Sequence, residues 1–237
     1  HRGFEPLISS LRGRCPGPLD ECGASINRDY SDVRGRVKSL QPAAACRPSG
    51  AVSRTITTGV YCPHYYVQVN SVQISDAQLR QLQRHIQKPG RYIGGEWNSI
   101  TKDWDRTRVT LALAYPDVYE IGMSNLGLAL LYDTVNRRDN LLAERVYAPW
   151  PDMEAALRAA DLPLYSLETH RSLDEFDLVG FSLQYELTYT NVLTMLDLGR
   201  IPLLASQRTS TDPLVLAGGS CTYNPGPMSD FVDLFAI

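Results

Sequence analysis

From Arg108 to Ile237, short apolar runs alternate with helical patterns, and this alternation leaves few folds open to the chain. Arg108–Ala114, Ala143–Ala148, Leu178–Leu183, Leu214–Ala217 and Val232–Ile237 each read as a strand. Between them, Asn125–Asn136, a segment starting at Pro151, and Tyr189–Leu198 space their apolar residues as helices do. Leu178–Leu183 has no polar alternation until Ser182, as expected of a strand covered on both faces. Repeated strand–helix units predict a parallel sheet with right-handed crossovers. The expected fold is therefore α/β and flavodoxin-like, with strand order 2-1-3-4-5. Pro151 suits a first helical turn, and Asp152 and Glu154 complement the positive end of that helix. Gly199 is expected as the left-handed residue just past the next helix. Leu164–Leu167 reads as an edge piece or a connector, and a short helix is expected near Met228–Asp230.

The first third of the chain is different. Residues 1–74 carry nine Lys/Arg and five Asp/Glu, whereas residues 75–237 carry 14 and 21. Residues 1 to about 60 are punctuated throughout by Arg, Gly, Pro and Ser, and buried apolar surface of that amount does not offset chain entropy. Residues 1–74 are expected to be disordered, or a non-native extension, with one short strand pattern in Tyr61–Ile74. Residues 75–107 read as a helix and a connector. Ser75-Asp76 predicts a helix start, Ala77–Gln87 the helix, and Pro89-Gly90 its stop. Cys15, Cys22, Cys46 and Cys62 lie in the first part, and neither Cys15-x6-Cys22 nor Cys62-Pro-His64 has regular zinc spacing. No metal site is expected in this chain.

In open α/β sheets, ligands bind outside the carboxyl ends of the strands. Three loops fall there. The first, Tyr115–Gly127, holds Tyr119, Gly122, Ser124 and Leu126; Gly122 is free to take positive φ, and Ser124 sits at the start of the following helix, as cap or polar contact. The second, Ser182–Asn191, presents Ser182, Gln184, Tyr185, Glu186 and Thr190 directly after the core strand. The third, Gly218–Pro227, offers Gly218, Gly219, Ser220 and Cys221, where paired glycines let a bulky flat group approach the backbone. These thirteen residues are the candidate ligand-binding set, and no catalytic residue is expected among them.

Several stretches together resemble a known family. They are Lys88–Ser99, the Tyr115 loop, Ala143–Met153, Val179–Leu193 and Ala217–Cys221. Their order is similar to the N-terminal part of a bacterial family of radical SAM proteins that carry a cobalamin-binding domain and whose reaction is unassigned. The resemblance spans about residues 77–237. It implies that residues 108–237 hold cobalamin at the strand carboxyl ends. It also implies a following barrel, absent from this chain, that would bind a [4Fe–4S] cluster and S-adenosylmethionine and would be this domain's partner; methyl transfer is one reaction such a parent could perform. Two departures stand out. Cobalamin domains of methionine synthase and mutases carry Asp-x-His-x-x-Gly, and here Asp117–Gly122 places Tyr119 at the His position. Related radical SAM proteins often have Gly-Gly-x-His after strand four, and here Cys221 takes that place. Cobalamin is therefore expected to bind without a protein His ligand to cobalt, and a docking or scaffold domain that has lost the cofactor is the alternative.

The net charge of −3 gives no reason to expect nucleic acid, and no apolar run approaches the roughly 20 residues that span a bilayer. With no secretory leader pattern, a cytoplasmic location is expected.

Overall fold

A computed structural model describes residues 73–84 and 86–237. The expectations for residues 1–72, including both cysteine patterns, lie outside the described residues.

The sheet has five parallel strands in the order β2-β1-β3-β4-β5, as the alternation predicts. They are β1 (Val109–Tyr115), β2 (Leu141–Tyr147), β3 (Leu178–Ser182), β4 (Leu214–Gly218) and β5 (Leu234–Ala236). The helices are α1 (Asp76–Gln83), α2 (Tyr119–Gly122), α3 (Leu126–Asn136), α4 (Pro151–Ala159) and α5 (Tyr189–Leu198). Side chains alternate across β1. Leu113 and Tyr115 pack with Leu128 and Tyr132 of α3, whereas Ala112 and Ala114 join the larger core with Met153 and Leu157 of α4 and Val192 and Met195 of α5. α3 thus covers one face of the sheet, and α4 and α5 cover the other. The chain changes faces between β1 and β3, where crossovers run in opposite directions.

Local chemistry sets the element ends. Ser75 and Gln78 form a reciprocal capping box on α1. α1 stops at Gln83 rather than Gln87, and Pro89 opens a separate 3₁₀ turn, Pro89–Arg91, instead of terminating the helix. Pro151 occupies the first turn of α4, as expected. Gly199 does not take the left-handed conformation; its φ is −77°, and Arg200 takes +59°. Gly199 is required for a different reason, since a Cβ there would sit 2.9 Å from both Leu173 Cβ and Met195 O. The helix expected near Met228–Asp230 is instead a 3₁₀ turn at Gly226–Met228, preceded by another at Ser220–Tyr223.

Two acids tie the amino ends of the strands together. Asp177, just before β3, accepts from the Thr110 amide (2.8 Å) and hydroxyl (3.0 Å) of β1. Asp233, just before β5, accepts from the Val215 amide of β4 (2.9 Å) and from Arg208 Nη1 (2.8 Å). Arg208 is buried, and its guanidinium also donates to the carbonyls of Pro202, Leu203 and Phe231. Removing one member of a buried, hydrogen-bonded ion pair costs about 3–5 kcal/mol because the other charge stays behind. Asp233→Ala is expected to lower unfolding free energy by that amount in urea titrations, and adding Arg208→Met is expected to recover part of the loss.

Candidate functional site

The loop after β1 does two jobs. Asp117 closes its start: Oδ1 accepts from the Val118 amide (2.7 Å), and the Ala148 amide donates to the Asp117 carbonyl (3.0 Å). The chain then coils into α2, which the sequence pattern did not predict. Gly122 lies inside that helix and not at positive φ. Its missing Cβ makes room for Tyr147, whose ring carbons would lie 2.4 Å from it. Ser124 is not the cap of α3. Its hydroxyl donates back to Ile121 O (2.9 Å), while Asn125 Oδ1 accepts from the Leu128 amide (2.9 Å) and caps the helix. Asparagine is as good a cap as serine, so adjacent candidates could not be told apart by type.

Tyr119 turns toward the end of β2. Its hydroxyl donates to Glu96 Oε1 (2.5 Å), and its ring meets Tyr147 edge-on at 5.4 Å. Burial and this hydrogen bond push the phenol up to about 12. Leu126, the first residue of α3, is 72% exposed.

The loops after β3 and β4 are joined closely. The Leu183 amide donates to Gly218 O (2.7 Å), the Cys221 amide to Leu183 O (3.2 Å), and Ser220 Oγ to Gln184 O (2.7 Å). Gln184 Nε2 reaches back to Ser182 Oγ (2.9 Å). Gly219 has φ +109°, and a Cβ would lie 2.4 Å from Leu183 O, so only glycine fits. Gly218 differs: an added Cβ would meet nothing nearer than Ala236 Cβ at 3.9 Å. Packing within the fold does not demand glycine there, and its absence of side chain leaves the strand end bare. Cys221 is buried against Tyr189, whose phenol is raised by burial and by its contact with that thiol.

The β1 and β3 loops meet across the point where the chain changes faces. Tyr185 donates its hydroxyl to Asp117 Oδ2, and Asn191 Nδ2 donates to Pro116 O (2.9 Å). The hydrogen bond to Asp117, with burial, pushes Tyr185 up to about 12. Glu186 and Thr190 are exposed beside it, and Leu187 and Tyr223 stand out at 87% and 79% exposure. Of the expected set, Ser182, Gln184, Tyr185, Gly218, Gly219, Ser220 and Cys221 therefore form one connected cluster. Tyr119 and Gly122 belong instead with Tyr147 on the α3 face. Asp117 and Asn191, which the candidate set omits, bind the cluster together; an acid directly after a strand, with a tyrosine after the neighbouring one, is the pattern that marks them.

Among the described residues, no three His, Cys, Asp or Glu side chains gather as a metal site. No helix among them is long and apolar enough to cross a membrane.

These features belong to an open parallel α/β domain with a polar, glycine-bearing carboxyl edge. Residues 127–237 match the family model described as radical SAM proteins, N-terminal. Neither comparison with curated proteins nor comparison with solved structures gave a match.

Tyr119 and Tyr185 hold their protons more tightly when folded than the ordinary phenol, near pH 10, does. Their contribution to stability is complete below about pH 10 and is lost as pH rises toward about 12. Denaturation midpoints are expected to fall across that window, and to fall less in Tyr119→Phe/Tyr185→Phe.

Proposed function

We propose that residues 108–237 are the cobalamin-binding domain of a radical SAM enzyme, with the cofactor seated over the linked loops after β1, β3 and β4. The observation that carries this reading is the match of residues 127–237 to the radical SAM N-terminal family, on a sheet whose carboxyl edge is bare of side chain at Gly218. The residues suit a flat, amide-rimmed macrocycle. Gly218 presents backbone without a side chain, Ser182, Gln184 and Ser220 supply hydrogen-bonding groups, and Leu187 and Tyr223 supply apolar surface. They do not suit an iron–sulfur cluster: after Cys62 the sequence has Cys221 alone, so the cluster and S-adenosylmethionine belong to another part of the parent protein. Cobalamin would supply a cobalt centre able to carry a methyl group. This chain's part is to bind and orient that group, to shield one face from water, and to present it to a partner barrel.

His170 is the one described histidine. It lies beyond Gly94, against Tyr165, and not in the loop cluster. With Tyr119 bound to Glu96, no imidazole of the described residues stands ready to ligate cobalt. A docking module that has lost the cofactor is the second reading, favoured by the exposed apolar side chains of Met123, Leu126 and Leu130.

Titrating the protein with hydroxocobalamin tests the proposal. Co-elution on gel filtration with a shifted visible spectrum is expected, and the reduced Co(II) form is expected to show no nitrogen coupling from a protein imidazole. Gly218→Ala, whose Cβ would make only an ordinary contact with Ala236 Cβ at 3.9 Å, is expected to weaken binding about tenfold (about 1.4 kcal/mol) without unfolding the domain. Absence of retention by the folded wild-type protein rules the cofactor reading out and leaves the docking module.

A further inference from the structure

The two faces of the sheet are covered unequally. Under α4 and α5, Val179 and Phe181 of β3 and Val215 and Ala217 of β4 are buried. On the other face α3 packs over β2 and β1, and among the described residues no helix lies over β3, β4 or β5. Burial therefore alternates along β3 and β4. Leu178, Gly180, Leu214 and Leu216 are only half-buried, and Leu234, in register with Leu216, is 44% exposed. This bare floor is uncharged, although parallel sheets bury both faces. A helix is about 10–12 Å across and strands lie about 4.8 Å apart, so the floor over β3 and β4 is one helix wide.

α3 has exposed apolar surface of its own. From Leu126 to Asn136 its one charged residue is Asp133. Leu128, Tyr132 and Asn136 are buried and mark the side against the sheet. At about 100° per residue, Leu126 and Leu130 stand half a turn away, facing off the sheet. They are 72% and 57% exposed. Ala129 and Asp133 face the 96–100 connector on the β2 side, so Leu131, 52% exposed, lies on the flank toward the bare floor. A helix apolar on all sides is a buried helix.

These two surfaces together select the occupant. A lone helix laid on the floor would meet Leu131 but leave Leu126 and Leu130 in water. A second copy of this chain, turned about a two-fold axis lying in the helix layer, covers all of them. Its α3 fills the floor over β3 and β4, its own floor closes over Leu126 and Leu130, and the two Leu131 flanks meet. We infer that the chain forms a two-fold dimer in which two sheets enclose one layer of paired α3 helices. The contact is self-complementary, as an isologous interface must be. Its charges also match. Arg137, exposed at the end of α3, comes to the amino ends of the other copy's β3 and β4, where Asp177 and Asp212 lie. The inference holds whether or not cobalamin binds.

Sedimentation equilibrium of the full chain tests it, and a monomer–dimer equilibrium is expected. Leu130→Glu on α3 and Leu216→Lys on the floor are each expected to weaken the dimer at least about tenfold (about 1.4 kcal/mol) with far-UV circular dichroism unchanged. Mixing the two variants is expected to restore a dimer, since one of its two equivalent contacts then pairs Glu with Lys and the other is native. Leu234→Lys, at the exposed rim, takes the place of Leu216→Lys if that variant unfolds. A chain that stays monomeric or forms open-ended aggregates overturns the inference. So does a dimer indifferent to either substitution, or one that mixing fails to restore.

Discussion

The outer edge of β2 is the place where this sheet most needs help. A parallel edge strand exposes a row of backbone groups, and each one buried without a partner costs about 1–3 kcal/mol. Here side chains and a folded-back segment meet them in turn. Leu141 N donates to Arg138 O, and Leu141 O accepts from Lys102 Nζ. The Asn136 amide pairs with both N and O of Ala143, as a neighbouring strand would. Arg145 N donates to Glu168, and Arg145 O accepts from Leu167 N. The edge is closed without a sixth strand, so the sheet can end at β2 and keep its free carboxyl side for loops.

That closure has consequences for the site. Glu168 reaches the edge only by being buried, and its charge is matched by Arg145, whose pKa rises although burial opposes it, because Glu168 and Glu96 hold the charged form. Arg145 brings Glu96 into the same cluster, and Glu96 in turn captures Tyr119. A residue of the β1 loop is thereby drawn over β2, against Tyr147. Glu144, on the opposite face of β2, is held separately by the Ser166 hydroxyl (2.6 Å) and Thr169, and burial raises its pKa. The two adjacent charges in the strand thus serve the two sides of one closing segment.

The order and direction of the strands were legible because strand–helix alternation depends on local pattern alone. The sequence expectation also placed the Ser182 and Gly218 loops at the carboxyl ends of β3 and β4, since each directly follows an apolar run. It misplaced the β1 loop for physical reasons. Ser124 and Asn125 are both good caps, and only the direction of the incoming chain chooses between them. Gly122 signals close approach, but whether through a turn or through a ring packed on a helix depends on Tyr147, 25 positions away in sequence and adjacent only after β1 and β2 pair. Leu164–Leu167, read from the sequence as an edge piece or a connector, does lie at the β2 edge, where the Leu167 amide donates to Arg145 O. Its clue was the pair Glu144-Arg145 within an otherwise apolar strand, which requires partners from elsewhere.

The link between Tyr185 and Asp117 determines how the remaining edge is used. It spans β1 and β3 where the crossovers diverge, the position at which an open sheet leaves a crevice, and Asn191 to Pro116 O reinforces it. A ligand there meets a crevice already bridged, so the open surface shifts toward β3 and β4. On that side the two glycines divide the work. Gly219 is fixed by the carbonyl of Leu183 and holds the turn, whereas a Cβ at Gly218 would make only an ordinary contact with Ala236 at 3.9 Å. Gly218 thus presents bare backbone at the strand end, and the cofactor proposal rests on this carboxyl edge at β3 and β4 rather than on the β1 loop alone.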